Sequence, residues 1–278
     1  MQQLRAELLA TLAWLVDAGA DEAIREEPVD RFVAPTPSRG TEPRDNATAQ
    51  PSADNRLRTL PPPRPAVART PAPLSGDAIG AATKIAANCR TLPELKAALE
   101  AFEGCALKTF ATHTVFADGT PDHGIMCIGE APGHDEDRLG LPFVGRAGKL
   151  LDKMLVAIGL DRTKVYIINV LPWRPPDNRN PEPTEVAKCI PFLRRHIELA
   201  RPKILILLGA VSVRHVIGTT EGIMRLRGRW LEYFVDGHMI PVMPTLHPAY
   251  LLRRPIDKRL AWHDLQAIES RIASLPPS

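Results

Sequence analysis

Four cysteines, Cys89, Cys105, Cys127 and Cys189, are spread over 278 residues, and no two of them form a C-x-x-C pair. That scarcity argues against a disulfide framework. It predicts buried free thiols in a reducing compartment. Aromatic residues make up only 5% of the chain. No apolar run is long enough to span a membrane. Phosphate-binding signatures are missing as well. The one Gly-Lys pair, Gly148–Lys149, has Phe143 where a Walker A loop needs its first glycine and Leu150 where it needs Ser or Thr. No G-x-G-x-x-G follows a strand, and no P-C-x-x-C accompanies an H-x-E, which removes dinucleotide folds and zinc deaminases. Charge of one sign is also lacking overall, with a formal balance of +3. It is unevenly placed, however: residues 194–271 hold 13 Lys and Arg against 7 Asp and Glu. Such a bias favours a polyanionic partner only weakly, because basic faces are often simply solvated.

Three zones follow from what is there. Residues 1–27 predict an amphipathic helix. The run "LLATLAWLV" before "AGA" has the outline of a signal peptide, but Glu7 and Asp17 bracket it and Leu4, Leu8, Leu12 and Leu15 share one helical stripe. Residues 28–76 hold eleven prolines and predict an extended linker that cannot build a core. Residues 77–278 predict a globular domain. There "IMCIG", "KVYIINVL", "KILILLG" and part of "HMIPVMPTLHP" read as strands, and helical patterns alternate with them. Uniformly apolar strands are expected where helices cover both faces of a parallel sheet. The fold class predicted is α/β, a three-layer α/β/α sandwich on a mainly parallel four-stranded sheet.

In such sheets ligands collect at the carboxyl ends of strands. The first strand runs into "GEAPGHDEDRLGLPFVGRAGKLLDKML", residues 129–155, the second ends near Asn169, and the fourth delivers "LHPAYLLRRP" with His247 at its tip. Each residue has an ordinary reading: Phe143 as core under a loop, Asn169 as a partner for strand-end backbone, "HDED" as a solvated turn or as ligands for a hard cation. Their convergence on one edge favours a joint role. An aromatic face can stack a base taken out of a helix, and an Asn amide offers a donor and an acceptor to its Watson–Crick edge. A neutral imidazole N–H at His247 can stabilise the negative charge left on a departing pyrimidine, and Glu136 can orient water. Gly129, Ala131, Pro132 and Gly133 form the turn that brings backbone close to such a ligand.

These segments, together with "YIINVLPWRPPDNRNPEPTEVAKC", closely resemble the family 4 uracil-DNA glycosylases of bacteria and archaea, in collinear order over roughly residues 88–270. The resemblance implies a monofunctional enzyme of base-excision repair that acts on uracil in DNA. It implies that Phe143 stacks uracil, that Asn169 reads it and that His247 serves the third motif. Glu130 falls in the first motif, and Ala131 replaces the water-activating Asp of classical family 1 enzymes. Leu251 has the spacing of the wedge that fills the hole left by the flipped base. Arg253, Arg146 and Arg179 are the candidates for phosphate contacts. The same family typically holds a [4Fe–4S] cluster on four cysteines. Here Cys105 and Cys189 occupy two of those places and Phe102 and Trp173 the others, too few thiolates for such a site. The expectation is therefore no cofactor and no metal, a cytoplasmic monomer acting on DNA without membrane contact, and a possible protein partner for the N-terminal helix. A catalytically weak DNA-binding accessory and a metal-dependent nuclease are the competing readings.

Overall fold

A computed structural model describes residues 75–275. The amphipathic helix expected over 1–27, and all but the last two residues of the expected linker, lie outside that range. The described part opens with helix α1, Ser75–Asn88, which sequence reasoning did not mark. Helix α2, Leu92–Ala101, follows where "TLPELKAALEAF" predicts one. The Thr91 hydroxyl accepts from the Glu94 N–H and a proline sits in the first turn, so the helix start is set by a side-chain cap and a residue that needs no partner for its nitrogen.

The sheet has six strands: β1 (Asp118–Gly119), β2 (Ile125–Gly129), β3 (Tyr166–Asn169), β4 (Ile204–Leu208), β5 (Leu231–Val235) and β6 (His238–Thr245). Their order is β1-β3-β2-β4-β6-β5. The expected four strands form the parallel centre, β3-β2-β4-β6. The expectation missed one antiparallel strand at each edge. β1 has only two residues. β5 was legible: it alternates half-buried and exposed residues and meets β6 through Asp236 and Gly237, both at positive φ. An Asp-Gly pair with both residues left-handed is the usual two-residue hairpin turn.

β2, β3 and β4 are buried at every position, as a sheet covered on both faces requires. Alternate residues feed two cores. Met126, Ile128, Ile168, Leu205 and Leu207 pack with α1, α2 and helix α5 (Pro183–Ala200) through Ala82, Leu95, Leu99, Phe192 and Ile197. Ile125, Cys127, Ile167, Ile204 and Ile206 pack on the other side with Leu151, Leu155, Leu265 and Ile268. Those partners belong to helices α4 (Arg146–Val156) and α9 (Lys258–Ala273). Among the other described helices are the short α3 (His134–Leu139) after β2, then α6 (Ala210–Ile217) and α7 (Ile223–Leu226). Helix α8 (Pro248–Arg253) follows β6. No helix among the described residues is long and apolar enough to cross a membrane. The chain leaves β2 for β3 on one side and returns to β4 on the other. The carboxyl end of β2 is thus the switch point at which an open α/β sheet presents a crevice.

Candidate active site

Sheet register builds the site. Gly129, last residue of β2, is paired with Asn169, last residue of β3. A side chain at Gly129 would collide with Asn169 Oδ1 and would lie about 2.5 Å from the Phe143 ring. A glycine there is a steric requirement: it lets an amide and an aromatic face meet over the strand end. Asn169 is 8% exposed, and its Oδ1 is the only buried side-chain oxygen or nitrogen among the described residues without a hydrogen-bond partner. A buried acceptor left unpaired costs about 1–3 kcal/mol, and such an orphan in a cleft calls for a ligand donor.

Phe143 is 5% exposed, and its ring centroid lies 5.6 Å from that of His247 at an interplanar angle of 32°. Its φ of 55° is left-handed, a region that costs a bulky L-residue about 1–3 kcal/mol and persists only when the surroundings impose it. Several do. A Cβ at Gly148 would overlap the Phe143 carbonyl, so α4 can approach the loop only with glycine at that place. Glu136 Oε1 accepts from the N–H groups of Val144 and Gly145, each at 2.9 Å, and Oε2 accepts from Gly133 N–H at 3.1 Å. Arg162 donates to the Phe143 carbonyl and, at 3.2 Å, to that of Pro142.

His247 is the N-cap of α8, and its Nδ1 accepts from Ala249 N–H at 3.1 Å. An acceptor nitrogen carries no proton, so the neutral ring bears its hydrogen on Nε2. Burial, reinforced by the charge of Arg253, lowers the imidazole pKa to about 4. Gly209, at the end of β4 with φ 92°, passes close beneath; a Cβ there would stand 2.9 Å from that of His247. A neutral Nε2–H donor, an aromatic face and an unpaired amide oxygen thus meet beyond the carboxyl ends of β6, β2 and β3.

The other expected residues divide. Ala131 and Gly133 are half-buried and Pro132 is buried in the turn between β2 and α3. The Glu130 side chain, half-buried, makes no hydrogen bond to the described residues, and burial raises its pKa. Glu136, expected to orient water, instead has both oxygens on backbone amides and staples the loop. Arg146 and Arg253 are exposed. Arg179 is also exposed, but it forms a two-pronged ion pair with Glu185 at 2.6 and 2.9 Å, which fixes the loop ahead of α5. Leu251 requires a correction: it is 1% exposed, inside the core shared with α4 and α9, and a side chain held there has no free surface to insert into DNA. Leu252, beside it, is 36% exposed.

The "HDED" carboxylates do not form one cation site. Asp137 is buried and accepts from Thr112 N–H at 2.7 Å, Thr112 Oγ1 at 3.0 Å and His113 N–H at 3.2 Å. No group of three or more His, Cys, Asp or Glu among the described residues is arranged to hold a metal. Nor do the residues fit a four-cysteine cluster. Cys105 and Cys189 are buried free thiols. Phe102 packs on Phe192 with centroids 5.1 Å apart, and Trp173, 1% exposed, donates its Nε1–H to Thr114 Oγ1 at 3.0 Å.

A family model described as the uracil DNA glycosylase superfamily matches residues 116–266. A type-4 uracil-DNA glycosylase of Sulfurisphaera tokodaii is 38% identical over 183 residues, covering 64% of this chain and 83% of its own length. Its counterpart in Saccharolobus solfataricus is 40% identical, covering 62% of this chain and 82% of its own length. That of Archaeoglobus fulgidus is 43% identical, covering 54% and 78%.

Proposed function

The chain belongs to the type-4 uracil-DNA glycosylases of the uracil DNA glycosylase superfamily, and on that premise we propose how its own residues excise uracil from DNA. The reaction is monofunctional hydrolysis of the N-glycosidic bond of a deoxyuridine taken out of the stack. Free uracil and an abasic site are the products. The observation that carries the assignment is the unpaired, buried Oδ1 of Asn169 beside the Phe143 ring. Uracil satisfies both groups at once: its face stacks on the ring, its N3–H donates to Oδ1, and its O4 accepts from the amide nitrogen.

Chemistry then follows from charge. As the C1′–N1 bond breaks, its electron pair goes to the base and spreads to O2, while the sugar becomes cationic. The His247 Nε2–H, held by the Ala249 bond on the opposite nitrogen, donates to O2 and stabilises the anion. A neutral donor suits this task because it need not give up its proton. Water adds to C1′ and loses a proton. Glu130 is assigned to that water and to the cationic sugar, since burial makes it a stronger base and it has no hydrogen bond within the described residues. Glu136 shapes the loop instead. Arg146 and Arg253 contact phosphates, and Leu252 is the candidate to fill the vacated stack. The enzyme works as a cytoplasmic, DNA-associated monomer without an iron–sulfur cluster.

The deciding measurement is uracil release from a labelled uracil-containing oligonucleotide, with EDTA present. His247→Ala should slow release by about 10²–10³-fold, the usual cost of losing one donor to a developing oxyanion. DNA binding should be kept. Release unaffected by the substitution would remove His247 from the mechanism. DNA binding without release by the wild-type protein would make the chain an accessory factor.

A further inference from the structure

Arg162 lies in none of the motifs that carry the resemblance, on the turn that leads into β3. Its guanidinium nevertheless reaches the base pocket. One nitrogen donates to the Phe143 carbonyl, and Nη1 donates to the Pro142 carbonyl at 3.2 Å. The same group is anchored from behind: Nη1 meets Asp118 Oδ2 at 2.5 Å and Nε meets Asp152 Oδ1 at 2.8 Å. Asp118 belongs to β1 and Asp152 to α4. The guanidinium is therefore held by two carboxylates while its donors point into the loop, an arrangement that needs the planar fork of arginine.

On the other side of Phe143, Glu136 holds the N–H groups of Val144 and Gly145, each at 2.9 Å. Four consecutive residues, 142 to 145, are thus gripped through carbonyls by a cation and through amides by an anion. Phe143, whose carbonyl and following N–H are held by the two different grips, is the one of the four in a left-handed conformation. Without them the backbone at 143 would be free to relax toward ordinary φ, which would turn the ring away from Gly129 and Asn169.

We propose that Arg162 is a positioning residue of the base pocket: with Glu136 it forms a two-sided clamp that holds Phe143 in its strained conformation and so fixes the plane on which the base stacks. The inference rests on Phe143 being the stacking ring. Arg162 touches no substrate, and its effect runs entirely through Phe143. Truncating a group that acts only through another should change little once that other group is gone.

A double-mutant cycle under single-turnover conditions tests this. Arg162→Ala should slow uracil release by about 10-fold or more, since small misplacements of substrate-positioning groups can cost up to about 10²-fold. In a Phe143→Ala background the same substitution should change the rate by less than about 2-fold. Inhibition by free uracil should weaken in parallel in both single variants. Arg162→Lys should not restore the rate, whereas added guanidinium should partly rescue Arg162→Ala. Equal fold-losses in both backgrounds would overturn the clamp and leave Arg162 as an ordinary stability residue. Phe143→Ala releasing uracil at the wild-type rate would instead overturn the stacking role itself. If Arg162→Ala does not fold, Asp152→Asn removes one anchor at a partly exposed position, and the same cycle with a smaller loss decides the question.

Discussion

At the scale of single residues the site depends on what each side chain already bonds to. His247 and His196 make the point together. Both rings are neutral through burial, His247 with its pKa near 4 and His196 near 3, yet their surroundings differ. His196 is locked in the core, with Nε2 2.8 Å from the Tyr166 hydroxyl and its ring stacked on Phe116. His247 keeps Nε2 free. An NMR titration should find His247 neutral from pH 8 down to about 5, with a midpoint near 4. A midpoint close to 6.5, the ordinary value for His, would mean that burial does not control the ring and that a charged donor must be considered. Linkage gives the sign for stability. Both folded pKa values lie below the unfolded one, so these residues contribute fully above about 6.5, and the contribution is lost as pH falls toward 4 and then 3. The sequence marked His247 by its place at a strand end. It could not separate Glu130 from Glu136, or Leu251 from its neighbour Leu252, because the difference lies in hydrogen bonds and burial, not in residue type.

At the scale of elements, the parallel centre and five of the helices were legible because each carries a strong pattern: uninterrupted β-branched and aliphatic strands, or apolar residues at helical spacing. α1, β1 and α7 are short, weakly patterned or dependent on distant partners, and they emerge only from packing. The Phe102 and Trp173 substitutions belong here, where α2 and α5 meet the sheet. Both rings are buried, and each fills space against its neighbours. Purified protein should therefore lack stoichiometric iron and broad visible absorbance. Trp173→Ala should cost about 3–5 kcal/mol in denaturant unfolding, the range for emptying a large aromatic site in a core. Stoichiometric iron with a visible band would refute the packing account. A loss well under 1 kcal/mol would show that the site collapses or was never tightly filled.

At the scale of the whole molecule, the described residues 75–275 carry an apolar core on each face of the sheet. Both faces of the sheet are covered by helices of that segment, and every proposed site residue, from Glu130 to Arg253, lies inside it. We propose that the first 74 residues supply no group to the site. A chain beginning at residue 75 should therefore fold cooperatively and release uracil from a short oligonucleotide within about 3-fold of the full-length rate. That factor corresponds to less than about 1 kcal/mol of activation free energy. The N-terminal segment would then matter for something other than bond cleavage, such as partner recruitment or affinity for long DNA, and the loss should appear in salt-dependent binding to long duplexes rather than in single-turnover rate. Failure of the shortened chain to fold would instead make part of that segment a component of the domain. A folded but inactive product would place a missing catalytic or positioning group within the first 74 residues.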